Sequence, residues 1–308
     1  MSKSLDRFLD IVDTPEQLPV ALRDEFERQP AQPIHRILLC PPQEFPVRRV
    51  GWLGDLPFGW RLTPQRVLVF GDYHITVISR EASGNPTTIN IPLDALLCIE
   101  LATVLLRAHV RFTWACGSEV ETLHVDFNSV GELKMRRELD YVRAVMAERA
   151  RPAGIISAAA SYEHLPLKYR NYLRYSLISD ERVAAVVYQP AIRHPRSPLR
   201  WYLSPNRAIA LTDQHLILIE DERRSPQPDY AVITRFIPLG RIRAVHVEQS
   251  GELDWLHVEL GFNTVARHDL SIPLVSAEAA RLEEALQAAR PDLQRFGGPP
   301  SVDLATTR

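Results

Sequence analysis

The chain has 308 residues and a formal net charge of −2, and 45% of its residues are hydrophobic and 24% charged. This length and balance predict a globular protein with room for two ordinary domains, and the near-neutral charge gives no general support for a nucleic-acid partner. The three cysteines, Cys40, Cys98 and Cys116, are scattered and form no CxxC pair, which argues for a reducing compartment and against a disulfide framework or a zinc site.

The predicted elements begin after an amino-terminal segment, residues 1–13, whose apolar run contains charged residues. Such a run lacks the pattern of a signal peptide, and no stretch of the chain approaches the roughly 20 apolar residues of a membrane span. We therefore expect a cytoplasmic protein.

The first half of the chain predicts a short helix, several strands and a closing helix. The short helix covers residues 18–28, a strand follows at 36–40, and a long loop containing proline and arginine comes next. Residues 61–70 and 74–79 predict a hairpin around the polar turn Gly71-Asp72. Ser129-x-x-Glu132 is a capping-box pattern that predicts the start of the closing helix. The apolar stripe of that helix consists of Met135, Leu139, Val142 and Met146.

The second half repeats the first. Residues 60–78 and 201–219 align without a gap, and seven of the nineteen positions are identical. The identical pairs are Trp60/Trp201, Leu62/Leu203, Pro64/Pro205, Arg66/Arg207, Asp72/Asp213, His74/His215 and Ile78/Ile219. The same elements recur: a helix at 165–175, a strand at 182–188, a hairpin from 202–211 and 215–220, and a closing helix that opens at Ser276. Its stripe consists of Ala279, Leu282, Leu286 and Ala289. Self-similarity on this scale predicts an internal duplication.

Short motifs in both halves resemble bacterial pleckstrin-homology-like (PH-like) domains. The second half has Leu211-Thr212-Asp213 at the hairpin turn and Ile237-Pro238-Leu239 at a strand start, and the first half has Phe70-Gly71-Asp72 and Ile91-Pro92-Leu93. The resemblance implies a mainly β fold with α-helices (α+β): two tandem PH-like barrels, each of six or seven antiparallel strands closed by a carboxy-terminal helix. The predicted domains are residues 14–150 and 161–295, with a linker at 151–160 and a flexible tail at 296–308.

The first candidate binding site is the basic loop after the first strand of the second half. It contains Arg193, His194, Arg196 and Arg200, and Arg207 follows on the next strand. Arginine can bind phosphate oxygens through two parallel hydrogen bonds. The resemblance implies an anionic lipid headgroup, because PH domains that bind phosphoinositides carry basic residues in this loop. The alternative is a solvated loop with ordinary surface arginines.

A second basic patch lies in the predicted helix 165–175, where Lys168, Arg170 and Arg174 alternate with tyrosines. Interleaved basic and aromatic residues can bind single-stranded nucleic acid by phosphate contact and stacking. The spacing is helical, however, and an amphipathic helix that packs its tyrosines on a barrel explains it without a ligand. We therefore do not expect a nucleic-acid partner.

Two repeated pairs, Asp72-x-His74 and Asp213-x-His215, have residue types found in metal sites and acid–base pairs. Both lie in a hairpin turn, where an aspartate that accepts a backbone N–H explains the pattern without chemistry. The other histidines that stand out, His109, His124 and His257, form no HExxH motif or recognisable cluster. G-x-S-x-G, P-loop and G-x-G-x-x-G patterns are absent from the sequence. We therefore expect no catalytic residues, no cofactor and no metal.

These observations predict a non-enzymatic binding or scaffolding protein that recognises a protein or peptide partner, and they leave self-association open. One alternative is a peripheral membrane protein that binds anionic phospholipid headgroups through the basic loop of the second half. Another is an enzyme or regulator with a site at the domain junction. Because both basic segments belong to the second half, that half is expected to carry the partner contact.

Overall fold

The structure is a computed structural model that describes residues 8–51, 54–149, 159–193, 202–222, 231–250, 253–262, 266–291 and 293. The fold is mainly β: 51% of the residues are in strands, which form several sheets, and the described residues include four α-helices. The predicted α+β class is confirmed. No helix in these ranges combines the length and the apolarity that crossing a membrane requires.

The elements of the first half follow the predicted order. The helices are α1 (Val20–Glu27) and α2 (Glu132–Arg149). The strands are β1 (Asp10–Val12), β2 (Ile34–Cys40), β3 (Glu44–Gly51), β4 (Gly54–Leu62), β5 (Gln65–Gly71), β6 (His74–Arg80), β7 (Thr87–Pro92), β8 (Leu96–Val104), β9 (Arg107–Cys116) and β10 (Glu119–Asn128).

The elements of the second half recur in a similar order. The helices are α3 (Leu167–Ser176) and α4 (Ser276–Ala289). The strands are β11 (Val183–Gln189), β12 (Ile192–Arg193), β13 (Tyr202–Ser204), β14 (Arg207–Thr212), β15 (His215–Asp221), β16 (Ala231–Pro238), β17 (Ile242–Ser250), β18 (Leu253–Phe262) and β19 (Ala266–Leu274).

Strands from both halves form one seven-stranded antiparallel sheet, which we call the shared sheet. Its order is β10-β9-β8-β16-β15-β14-β11, so β8 of the first half pairs directly with β16 of the second. A five-stranded sheet, β1-β2-β5-β6-β7, belongs to the first half, and a three-stranded sheet, β17-β18-β19, belongs to the second. The pairs β3-β4 and β12-β13 form two small sheets of their own.

The shared sheet separates two hydrophobic cores, because alternate residues of a strand point to opposite faces. The core on one face combines residues of β8 and β9 with Leu139 of α2, Leu173 of α3 and Phe236 of β16, so it draws on both halves. The core on the other face combines Leu218 of β15 and Leu286 of α4 with residues of β17, β18 and β19. Burying a single leucine of this kind stabilises the fold by about 1.5–3 kcal/mol relative to leaving it exposed.

The predicted apolar stripes of both closing helices are confirmed. Met135, Leu139, Val142 and Met146 of α2 are buried, and so are Ala279, Leu282, Leu286 and Ala289 of α4. The stripe of α4 accounts for all its buried residues, as expected where a single face packs on a sheet, whereas α2 also buries Arg136, Glu138 and Arg143 beside its stripe.

Closed barrels were predicted, but the described strands form open sheets. The pairing of β16 accounts for the difference. The two neighbours of β16 are β15 and β8, whereas β17 pairs with β18 alone. Strands β11, β14, β15 and β16 therefore belong to the shared sheet, and β17, β18 and β19 form a separate sheet.

The long loop predicted after the first strand was wrong for the first half, where β3 and β4 form a hairpin. The predicted strands 61–70 and 202–211 are also each broken in two. The breaks lie at Pro64, between β4 and β5, and at Pro205, between β13 and β14. Proline has no N–H to donate to a strand ladder, so a continuous strand is disfavoured at both positions.

The capping box predicted at Ser129 is not formed. A short 3-10 turn, Ser129–Gly131, precedes α2, and the Asn128 side chain accepts a hydrogen bond from the Val130 N–H at 3.0 Å. The Ser129 hydroxyl donates instead to the carbonyl of Leu105. Asn128 therefore caps the 3-10 turn that leads into α2, and the Ser129 hydroxyl is engaged by the turn between β8 and β9.

Most of the predicted linker, residues 151–158, and the predicted tail, residues 296–308, lie outside the described residues. The division into domains at 14–150 and 161–295 therefore remains a prediction.

Candidate functional site

One face of the shared sheet carries a row of charged side chains that crosses from one half to the other. His124 of β10 lies opposite Arg111 of β9, Arg111 opposite Glu100 of β8, and Glu100 opposite Arg235 of β16. The alternation of strand side chains puts this row on one face, while neighbours such as Val110 point into the core. Opposite charges in directly facing positions stabilise a strand pair.

Glu100 is the centre of this row, and its side chain is only 4% exposed. It lies 3.0 Å from Nη2 of Arg111, 2.7 Å from Nε of Arg235 and 3.4 Å from Nε2 of His109. Burial by itself would raise the pKa of Glu100, but the hydrogen bond from His109 and the charges of Arg235 and Arg111 hold it at about 2. Glu100 is therefore an anion that fixes three basic side chains around it.

A second anchored carboxylate lies two residues beyond His124 on β10. The Asp126 side chain is 1% exposed and contacts Arg61 Nη2, Arg107 Nη2 at 3.0 Å and His124 Nε2 at 3.1 Å. Burial alone would raise the pKa of Asp126, but the hydrogen bond from His124 and the charge of Arg107 hold it well below its ordinary value. The arginines remain accessible, with Arg61 58% and Arg107 43% exposed.

We call Arg61, Arg107, Arg111, His109 and His124, with their anchors Asp126 and Glu100, the basic cluster. Each guanidinium has five N–H donors in a planar fork. The contact of Arg61 or Arg107 with Asp126 uses only part of that fork, and Arg111 is also 43% exposed. The cluster therefore presents oriented donors to solvent at little further cost in side-chain entropy, which suits a carboxylate or a phosphate.

The same place holds a group with the residue types of a metal site, which the sequence argument did not recognise. One ligand atom from each of His109, His124 and Asp126 lies within 4.8 Å of the others, and the two imidazole rings stack with centroids 4.2 Å apart. The surroundings do not favour a divalent cation, because both oxygens of Asp126 already contact a guanidinium. A metal would have to displace Arg61 and Arg107, whereas an anion would be attracted by them.

The basic loop predicted from the sequence lies almost entirely outside the described residues. This applies to His194, Arg196 and Arg200, while Arg193 ends β12 with its side chain not described. Arg207 is described and is a correction: it is 3% exposed, donates to the Pro273 carbonyl at 2.9 Å and contacts Glu220 at 3.4 Å. A guanidinium held inside the protein in this way cannot receive an anion from solvent.

The basic residues of α3 make ion pairs or remain single surface charges. Lys168 lies 2.8 Å from Asp221, and Arg170 lies 3.1 Å from Glu163, while Arg174 is exposed. Tyr169 is buried and its hydroxyl also donates to Asp221, at 2.7 Å. These contacts agree with the amphipathic-helix interpretation for Tyr169.

The repeated aspartates of the hairpin turns form hydrogen bonds, although not with their own turn. Asp213 accepts the backbone N–H of Arg182 at 2.9 Å, and Asp72 accepts the hydroxyl of Tyr141. The histidine that follows Asp213, His215, belongs to a separate buried group.

That buried group, the junction cluster, fastens α2 of the first half to the second half. Glu181 lies 3.0 Å from Nη2 of Arg143 and 2.8 Å from Nδ1 of His215, and accepts the Thr212 hydroxyl at 2.6 Å. The side chains of Glu181, Arg143 and His215 have no solvent exposure. Burial would raise the pKa of Glu181, but the hydrogen bond from His215 and the charge of Arg143 hold it at about 2. A set of residues closed in this way has a structural role, since a substrate cannot reach it.

No protein-family model matches this chain, and comparison with curated proteins finds no relative. The geometry of the basic cluster is therefore the strongest guide to function among the described residues.

Proposed function

We propose that the chain is a non-enzymatic binding or scaffolding protein, built from two duplicated PH-like units, that recognises an acidic segment of a protein partner. The observation that carries the proposal is the basic cluster, in which exposed arginines are held in place by buried carboxylates. The order of strands followed by a closing helix in each half supports the PH-like duplication.

The spacing of the cluster favours an extended acidic segment over a single small anion. Arg107, His109 and Arg111 occupy alternate positions of β9 and therefore share one face. Residues four apart on a strand are separated by about 13 Å, which is also the separation of acidic residues four apart in an extended peptide. A peptide that alternates acidic and apolar residues can therefore pair several carboxylates with the cluster at once.

The two alternatives have less support among the described residues. The lipid alternative depends on Arg193, His194, Arg196 and Arg200, whose side chains are not described. The alternative of a catalytic site at the domain junction has little support from the junction cluster, because the side chains of Glu181 and His215 have no solvent exposure and a substrate cannot reach them. The proposal also moves the contact to strands of the first half, whereas the sequence patterns favoured the second half.

Fluorescence anisotropy with a labelled peptide of alternating glutamate and valine tests this function. We expect the protein to bind this peptide at low salt, to release it as salt is added, and not to bind the matching lysine–valine peptide. Arg111→Gln removes one exposed fork while Glu100 keeps Arg235 and His109, so the fold is retained. The change is expected to weaken binding about tenfold, equivalent to about 1.4 kcal/mol.

The matched control is Arg281→Gln, which removes an arginine that is 60% exposed on α4, outside the basic cluster. It is expected to leave peptide binding unchanged. Absence of wild-type binding at low salt, or equal effects of Arg111→Gln and Arg281→Gln, would overturn the proposal. Binding to anionic vesicles that Arg193→Ala/Arg196→Ala/Arg200→Ala abolishes, without binding to the acidic peptide, would support the lipid alternative instead.

A further inference from the structure

The turn between β8 and β9 exposes two leucines in a backbone conformation that disfavours leucine. Val104 pairs with Arg107, so Leu105 and Leu106 alone connect the two strands. Leu105 has φ = 51°, in the left-handed region that favours glycine or asparagine. The two side chains are 54% and 72% exposed, so core packing does not explain the choice of residue.

The sequence of the second half has no leucine at the corresponding place. Val104 ends β8 and Ser250 ends β17, so Gly251 and Glu252 follow β17 where Leu105 and Leu106 follow β8. A glycine followed by a polar residue is a common sequence for a tight turn between two strands. At this place the first half therefore has two apolar residues where the sequence of the second half has a glycine and a glutamate.

The leucine turn belongs to a larger exposed apolar surface. The Ser129 backbone N–H donates to the Leu106 carbonyl at 3.2 Å, and its hydroxyl donates to the Leu105 carbonyl, which places the start of α2 beside the turn. Val130 and Leu133, just beyond Ser129, are 66% and 73% exposed. We call Leu105, Leu106, Val130 and Leu133 the leucine patch.

Basic side chains lie beside the leucine patch in the sequence and on α2. Arg137 lies one helical turn beyond Leu133 and is exposed, and the amine of Lys134 is partly exposed beside Asp10. Arg107, which follows Leu106, is also partly exposed. Exposed apolar side chains with cations beside them are complementary to a bilayer with anionic headgroups, which accepts the leucines below the headgroups and attracts the cations.

We propose that the leucine patch is a contact site for an anionic phospholipid bilayer surface, with Leu105 and Leu106 inserting below the headgroups. This site is distinct from the basic loop at Arg193–Arg200 and goes beyond the proposed peptide recognition. Contact with a bilayer explains why a leucine occupies position 105, where the backbone conformation disfavours it.

The test is co-sedimentation with vesicles of phosphatidylserine and phosphatidylcholine, compared with vesicles of phosphatidylcholine alone. The wild type is expected to sediment with the anionic vesicles and only weakly with the neutral ones. The double variant Leu105→Gly/Leu106→Ser removes both leucines without adding charge, and it is expected to weaken vesicle binding by at least about tenfold. Arg137→Gln should reduce the preference for anionic over neutral vesicles.

The matched control is Val20→Ser, which removes an apolar side chain that is 62% exposed on α1. It should sediment like the wild type. The Leu105→Gly/Leu106→Ser variant should keep the urea midpoint of the wild type or exceed it, which separates lost contact from lost folding. The proposal is overturned if the wild type does not sediment with anionic vesicles at low salt, or if the double variant sediments as well as the wild type. A third outcome would also overturn the proposal: the wild type dimerises with increasing concentration but does not bind vesicles, and the double variant does not dimerise. The leucine patch would then be a contact with a second copy of the chain.

Discussion

The junction cluster and the basic cluster use the same chemistry in different surroundings. Each is centred on a buried carboxylate, Glu181 in one and Asp126 in the other, and each carboxylate contacts a histidine and at least one arginine. In both, the partners lower the pKa of the carboxylate although burial alone would raise it. The two clusters differ in the exposure of their cations.

In the junction cluster the cation is as deeply buried as the anion. Arg143 also donates to the Ser176 carbonyl at 2.7 Å and lies over the Phe236 ring, 4.0 Å from its centroid. In the basic cluster, Arg61 and Arg107 extend into solvent from a buried anchor. Exposure of the cations, not the presence of an ion pair, therefore separates a structural contact between elements from a surface that can bind a partner.

The largest expected effect compares the two carboxylates by matched substitution. Glu181→Gln leaves Arg143 as a buried cation without its full counter-charge, so we expect the free energy of unfolding to fall by about 3–5 kcal/mol. Asp126→Asn leaves Arg61 and Arg107 free to be hydrated, so its cost should be only about 1–2 kcal/mol. Urea unfolding followed by circular dichroism measures both values.

A double variant tests whether the cost of Glu181→Gln comes from the unpaired buried charge. Arg143→Met together with Glu181→Leu replaces the buried pair by apolar side chains of similar size, which should recover part of the loss seen in Glu181→Gln. Equal costs for Glu181→Gln and Asp126→Asn would contradict the distinction between the clusters.

The next expected effect is a loss of stability in acid, part of which depends on His215. Burial is the first cause that lowers the pKa of His215 from 6.5, and the charge of Arg143 lowers it further, against the opposing effects of Glu181 and Asp213. Below pH 6.5 the unfolded chain therefore binds a proton at this histidine that the folded chain does not, and the unfolding free energy falls. His215→Gln should remove this part of the decline.

A second part of the decline comes from the carboxylates at lower pH. Glu100 and Glu181 have folded pKa values of about 2, compared with 4.5 for an ordinary glutamate. Their contribution to stability is present above pH 4.5 and is lost as the pH falls towards 2, at about 1.4 kcal/mol for each pH unit that separates the folded pKa from the ordinary one. Urea midpoints should fall more steeply with decreasing pH below 6.5 for the wild type than for His215→Gln, and both proteins should lose further stability between pH 4.5 and 2. Superimposable profiles would rule out a neutral buried His215.

Much of the fold could be predicted because its signals are local. The apolar stripes of α2 and α4, the polar turn at Gly71-Asp72 and the repeated order of elements all depend on residues close together in the chain. The pairing of β8 with β16 could not be predicted in this way. It joins residues such as Glu100 and Arg235, which are far apart in sequence, and either strand could have paired within its own half.

The basic cluster was missed for the same physical reason. His124 and Asp126 are two apart, a spacing that places them on one strand face, but their approach to His109, Arg61 and Arg107 depends on strand register. Runs of nearby arginines drew attention instead to the second half, where Arg207 proves to be buried. Clustering in sequence does not reveal whether a cation faces solvent or a carboxylate inside the protein.

The smallest expected effect concerns the turn between β8 and β9. Leu105→Gly removes a side chain from a position with φ = 51° and introduces glycine, the residue that directly follows β17 in the sequence of the second half. Relief of the left-handed conformation should raise the free energy of unfolding by about 1 kcal/mol, reduced by the greater freedom of glycine in the unfolded chain.

Leu106→Gly in the same turn is the matched control, because only Leu105 of the two has a positive φ. Urea unfolding should therefore show a gain for Leu105→Gly alone. A loss of stability in Leu105→Gly as large as that in Leu106→Gly would mean that the leucine contributes to folding, and the turn would then need no partner to explain its sequence.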